Sequence, residues 1–71
     1  MADEYIKKQN GTILGVLRHE SNGDIIAFSY PSMHILGYYR KAHDYTTDLY
    51  GRILSRGNIA VALIYQNYLS K

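Results

Sequence analysis

Short apolar runs separated by turn signals set the pattern of this chain. Isoleucine and leucine recur in pairs just after Asn-Gly, His or Gly: Asn10-Gly11-Thr12-Ile13-Leu14-Gly15, Asn22-Gly23-Asp24-Ile25-Ile26-Ala27, His34-Ile35-Leu36-Gly37 and Gly51-Arg52-Ile53-Leu54-Ser55. Each copy runs turn, polar residue, two aliphatics, small residue. A repeated turn-then-strand unit in a short chain predicts a ring or stack of β-hairpins. Strands are expected over Tyr5–Gln9, Thr12–Glu20, Asp24–Tyr30, Met33–Lys41, Tyr45–Leu49 and Arg52–Arg56. Asn10-Gly11 and Asn22-Gly23 read as two-residue type I′ turns, with positive φ at both residues. Pro31-Ser32 marks the next turn, where Pro favours types I and II. Ala42–Asp44 is read as a loop, and Tyr50-Gly51 and Gly57-Asn58 as the last two turns.

Two-residue turns fix register. Around Asn22-Gly23 they would oppose Leu17 to Phe28 and Gly15 to Tyr30. Leu17, Ile26, Phe28 and Ile13 would then share one face, and the Tyr30 ring would cover bare glycine backbone. Gly37 follows Ile35 as Gly15 follows Ile13. Strand glycines weaken a sheet unless a bend, a bulge or close packing needs them. Their repetition therefore implies one shared requirement. The final apolar run, Ile59–Tyr65, is apolar on all sides. Its length and its β-branched Ile59, Val61 and Ile64 predict a buried strand, in preference to a short helix that Asn58 would cap.

Seventy-one residues make one domain, with flexible ends expected at about 1–4 and 67–71. The core is marginal: apolar burial contributes on the order of 110 kcal/mol, and ordering the chain costs about the same. With no cysteine there is no disulfide to add stability, which makes self-association the expected remedy. The same absence, with the acidic, polar start Met1-Ala2-Asp3-Glu4-Tyr5, leads us to expect a cytoplasmic protein without a signal peptide. Ile59–Tyr65 is too short to span a bilayer, so no membrane partner is expected. A net charge of +2 falls short of the dense basic patch of a dedicated nucleic-acid binder.

Eight tyrosines stand against one Phe and no Trp. Tyr suits half-buried strand positions and interfaces, because its ring is apolar and its hydroxyl can stay wet. Sheet packing is the ordinary use, and an aromatic binding surface the sharper one. The densest polar-aromatic cluster is Tyr38-Tyr39-Arg40-Lys41 with nearby His43. Tyr38 and Tyr39 point to opposite faces, so at most one belongs to the core. With Arg52 and Arg56 this cluster has the residue types of a single-stranded nucleic-acid surface, whose ordinary counterpart is a solvated rim. Asp48 and Arg52 flank Leu49-Tyr50-Gly51. A turn-fixing ion pair is the ordinary reading, and a ligand contact on a rigidly held loop the other. Candidate binding residues are thus Tyr38, Tyr39, Arg40, Lys41, Asp48, Tyr50, Arg52 and Arg56. His19, His34 and His43 lack metal-ligand spacing on any one strand face, so no metal, cofactor or catalytic residue is expected. No phosphate loop or nucleophile elbow occurs.

Ile35-Leu36-Gly37-Tyr38-Tyr39-Arg40-Lys41, Thr47-Asp48-Leu49-Tyr50-Gly51-Arg52-Ile53 and Gly57-Asn58 resemble small proteins with a four-fold β-flower fold, found in bacteria, notably Bacteroidetes, and in their phages. The similarity covers roughly residues 10–64. Arg40 departs from that pattern, which often has an acid after the two tyrosines. The resemblance implies a compact all-β unit of hairpin petals and no catalytic chemistry. The expected fold class is therefore all-β: short antiparallel β-hairpins with internal pseudo-repeats, β-flower-like or small barrel-like. The expected function is a non-enzymatic structural or interaction module of a bacterium or phage, working as a homo-oligomer. A small β-protein that binds single-stranded nucleic acid, and one that binds a small ligand or carbohydrate, are the alternatives.

Overall fold

Three of the hairpin loops are one structure repeated. Lys8 N–H donates to Thr12 O at 2.8 Å and Gly11 N–H to Lys8 O at 2.9 Å. Glu20, Gly23 and Asp24 repeat this at 2.8 and 3.0 Å, and Asp48, Gly51 and Arg52 at 2.9 and 3.1 Å. Each loop thus has three residues, ending on a left-handed glycine: Gly11 at φ 91°, Gly23 at 94° and Gly51 at 88°. This is a type I turn closed by a glycine bulge. The two-residue type I′ expectation is corrected: only the glycine of each Asn-Gly pair is left-handed. Asn10 and Asn22 use their side chains instead, each Oδ1 accepting at 3.0 Å from the amide two residues on. The turn at Pro31-Ser32 carries a cis Tyr30–Pro31 peptide and a left-handed Met33 (φ 58°), in place of a type I or II turn.

The computed structural model describes residues 2–70. Strands β1 (Ala2–Lys7), β2 (Ile13–His19), β3 (Ile25–Ser29), β4 (Ile35–Arg40), β5 (Tyr45–Asp48) and β6 (Ile53–Arg56) form one antiparallel sheet in chain order, followed by helix α1 (Ala60–Leu69). Residues 2–4, expected in a flexible end, pair with β2, and residues 67–69 complete the last turn of α1. The predominantly antiparallel β, hairpin-built fold class stands.

The extra loop residue moves the β2–β3 register by one, and a shift of one exchanges the two faces. Leu17 opposes Ala27, Val16 opposes Phe28, and Gly15 opposes Ser29. Leu17 therefore shares the helix-bearing face with Ala27, while Ile26 and Phe28 lie on the other side with Arg18 and Val16. Tyr30 does not cover Gly15. It packs edge-on against Tyr5, with ring centroids 6.3 Å apart.

Three of the four aliphatic repeats are β-bulges. The register slips between Ile6 and Lys7, between Ala27 and Phe28, and between Thr46 and Thr47. Opposite each slip stands an unpaired leucine: Leu14, Leu36 and Leu54. Only Ile25-Ile26-Ala27 runs through its pairing without a slip. This is the requirement behind the repetition. A bulge bends the strand and re-aims its side chains. Leu14 enters the core cluster and Leu36 packs against it.

The residue after two of those bulges is a glycine, and α1 sits on both. A Cβ at Gly15 would lie 2.7 Å from Ile64 Cγ2 and 2.6 Å from Phe28 O. A Cβ at Gly37 would lie 2.7 Å from Leu63 Cδ1 and would also strike Thr47 O. Ile64 is fully buried and Leu63 nearly so, in one cluster with Leu14, Leu17, Ile25, Ala27 and Ala60. The strand expected over Ile59–Tyr65 is thus corrected to a helix. The helix cost of β-branched residues is at most about 0.7 kcal/mol each. Burying Leu63 and Ile64 is worth about 1.5–3 kcal/mol apiece, and two adjacent residues reach one sheet only from a helix. The helix start is fastened to β5: Thr46 Oγ1 accepts from Ile59 N–H at 3.0 Å and donates to Gly57 O at 2.7 Å. Asn58 Oδ1 accepts the Ala60 N–H at 3.1 Å.

Gly37→Ala is therefore expected to lower unfolding free energy by about 2 kcal/mol, because backbone and helix leave no space for a methyl group. Gly51→Ala has no atom within 4 Å to meet and changes only a left-handed φ. Its cost is about 1 kcal/mol. Urea denaturation of both variants checks the order; equal losses would contradict the seating of α1.

Candidate functional site

The face of the sheet turned away from α1 is where the sequence-derived candidates can be tested. Register places Arg18, Ile26, Tyr38, Thr47 and Ile53 in one row across β2 to β6. Alternation puts Arg40 beside this row, and Tyr45 opposes both Arg40 and Arg56. A shallow depression of about 430 Å³ opens here, lined by Tyr38, Arg40, Tyr45, Thr47, Leu49, Tyr50 and Gly51. On the other side of Arg40 lies a second, of about 330 Å³, lined by Glu20, Ser21, Asn22, Asp24, Ile26 and Arg40.

Of the eight candidates, Tyr38, Arg40 and Tyr50 come together in the larger depression. Arg40 lies over the Tyr38 ring at 4.6 Å, and Tyr50 stands 78% exposed on the rim. Tyr39 takes the opposite face, as alternation requires. Its ring packs against the core, and its hydroxyl donates to Asp44 Oδ1 at 2.8 Å. That hydrogen bond, together with burial, raises the Tyr39 pKa. Lys41 is spent on the second hairpin, its stem lying over Gly23 and its amide bonding Asp24 Oδ1 at 2.9 Å. Arg56 is exposed on the edge strand.

Asp48 and Arg52 make a turn lock. Asp48 Oδ1 accepts from the Tyr50 and Arg52 amides, both at 2.9 Å, and Oδ2 meets Arg52 Nε at 2.8 Å. Burial pushes the Asp48 pKa up, but these donors outweigh it and hold the carboxyl below its ordinary value. Asp24 plays the same part between loops. The Lys41 amide bond and the Arg40 guanidinium, 3.3 Å from Oδ2, outweigh desolvation and lower its pKa. The ordinary reading of these charges is the structural one: two candidate arginines are partly neutralised by carboxylates that fix hairpins.

Tyr45, Thr47 and Leu49 were not among the candidates. Alternation within β5 puts the first two on one side, but only the four-residue loop between Arg40 and Tyr45 decides which side. The histidines do not gather: His19 Nε2 meets Glu4 Oε1 at 2.9 Å, and His43 stacks on Tyr45 with ring centroids 5.3 Å apart. Among the described residues, no three His, Cys, Asp or Glu come together as a metal ion would require. The depression offers ring faces, hydroxyls and one guanidinium, a set suited to stacking and hydrogen bonding. The chain matches no family model, and no curated protein or solved structure matches it.

The carboxylate locks carry a pH dependence. Asp24 and Asp48 have folded-state pKa values below the ordinary 3.8. Their stabilising effect is complete above that ordinary value and is lost as pH falls through the lower folded one. Urea midpoints should be level from neutrality to about pH 5 and fall steeply below about pH 4. Asp48→Asn should flatten that fall; an unchanged acid limb would show that the lock contributes nothing.

Proposed function

We propose that this chain is a non-catalytic interaction module that acts as a homo-oligomer. The observation that carries the reading is the outer face of α1. The helix, Ala60-Val61-Ala62-Leu63-Ile64-Tyr65-Gln66-Asn67-Tyr68-Leu69, contains no charged residue. Its inner side fills the core, yet its outer side exposes Val61, Tyr65, Tyr68 and, at 77%, Leu69. A surface helix normally carries charge on its solvent side, and one that is apolar all round is normally covered. Spacings of three and four residues align these side chains in one stripe. No helix among the described residues is long and apolar enough to cross a membrane, and the stripe is better suited to a protein surface. Self-association also supplies what a marginal chain lacks, since association of folded copies adds stability by mass action.

Analytical ultracentrifugation at about 100 µM is expected to return at least twice the chain mass of 8.1 kDa. A folded monomer at that concentration would overturn the proposal.

A second reading rests on the opposite face. Tyr38, Tyr45 and Tyr50 around the larger depression, with Arg40 beside them, have the composition of a stacking platform for single-stranded nucleic acid. The pairing of Arg40 with Asp24, and of Arg52 with Asp48, weakens that platform electrostatically. Titration of a labelled oligothymidine at two salt concentrations separates the readings. The interaction module shows no salt-dependent binding; a platform loses affinity steeply as salt rises, and Tyr38→Ala abolishes what remains.

A further inference from the structure

The aliphatic bulge is repeated more often than the helix can use it. Leu14 and Leu36 both pack in or against the cluster beneath α1, and Leu14 is 6% exposed. Leu54 holds the same place in the β6 bulge, yet it is 49% exposed. The reason is reach: α1 packs mainly on β2, β3 and β4, touches β5 at its start through Thr46, and leaves most of β6 exposed. Ser55 follows Leu54 as Gly15 follows Leu14 and Gly37 follows Leu36, a small residue at the position where α1 approaches the sheet. Ser55 opposes Thr46, whose hydroxyl bonds the start of α1, so it belongs to the helix-bearing face. The chain thus has one helix seat without a helix, and one helix with an uncovered apolar stripe.

We propose that a second copy of this chain completes both: the Val61–Tyr65–Leu69 stripe of each copy lies on the Leu54-Ser55 bulge of the other, about a twofold axis. This rests on the homo-oligomer reading above and adds to it the surface and the symmetry. A twofold contact needs a surface complementary to itself, which a seat and a stripe on the same face provide. Charge does not oppose the contact. Arg52, beside the seat, is paired with Asp48, and Arg56 faces the other side of the sheet. The cation that meets the helix, Lys8, is bonded to the Tyr68 hydroxyl outside the Val61–Tyr65–Leu69 stripe. Strand addition along the open β6 edge is the weaker alternative, because β6 is four residues long and bulged, two devices that blunt an edge.

The test uses the full chain and sedimentation velocity. Leu54→Lys and Tyr65→Glu are each expected to raise the dimer dissociation constant at least tenfold, because both twofold-related contacts then carry a buried charge. Leu69→Glu, at a position 77% exposed in the single chain, repeats the second arm where the fold itself is not engaged. Ile53→Lys, on the other face and 62% exposed, leaves the dimer unchanged. Mixing Leu54→Lys with Tyr65→Glu restores the dimer, because one seat-and-stripe contact is then native and the other pairs Lys with Glu. A dimer that survives Leu54→Lys, or variants that stay monomeric on mixing, would overturn the proposed contact while leaving the homo-oligomer reading intact. A monomeric parent chain would overturn both.

Discussion

Everything on one side of this protein depends on a close approach between a helix and two bare stretches of backbone. Gly15 and Gly37 lie on β2 and β4, on either side of β3 and on the same face, and receive Ile64 and Leu63 at separations that leave no space for a Cβ. The approach explains why glycine is tolerated inside strands, where its lost entropy would otherwise weaken the sheet. It also explains two of the three bulges, which place a leucine beside the glycine, so that Leu14 and Leu36 flank the helix while the glycines lie beneath it. A sheet of six short strands with open edges has little core of its own, and a helix seated at backbone distance gives it one.

The hairpin loops hold this arrangement by a second, local device. Loops of three residues closed by left-handed glycine set the register of β1–β2, β2–β3 and β5–β6. Side-chain oxygens of Asn10, Asn22 and Asp48 then take amides that would otherwise be unpaired. Charge is used in the same way. Asp24 ties the second hairpin to the start of the β4–β5 loop, and Asp48 closes its own turn with Arg52. Two of the arginines that look like ligands in sequence are therefore hairpin parts first. What is left for partners is mostly apolar and aromatic: the outer stripe of α1, the uncovered bulge of β6, and the tyrosine-lined depression on the other face. The proposed self-association draws on the first two.

The positions of the turns and the first six strands were readable because they are local, although the type of the turns was not. Asn-Gly before an aliphatic pair marks a hairpin whatever the rest of the chain does, and the repeated Ile-Leu-small unit announced a shared geometry before its nature was visible. The identity of the candidate site was readable in part. Alternation separated Tyr38 from Tyr39 correctly, and Asp48 with Arg52 could be read as a turn lock from spacing alone. Tyr45, Thr47 and Leu49 were not legible, because which strand face they take depends on the length of the loop after Arg40.

The sequence by itself determined the hairpins and their order, since each follows from steric and hydrogen-bonding preferences within a few residues. Only the tertiary structure decided the register of β2 on β3, because one extra loop residue moves every side chain to the opposite face and local propensity differs little between the two loops. It alone decided that Ile59–Tyr65 belongs to a helix. A run apolar on all sides fits either element, and the choice was made by two glycines more than twenty residues away in the chain, whose missing side chains leave room for Leu63 and Ile64.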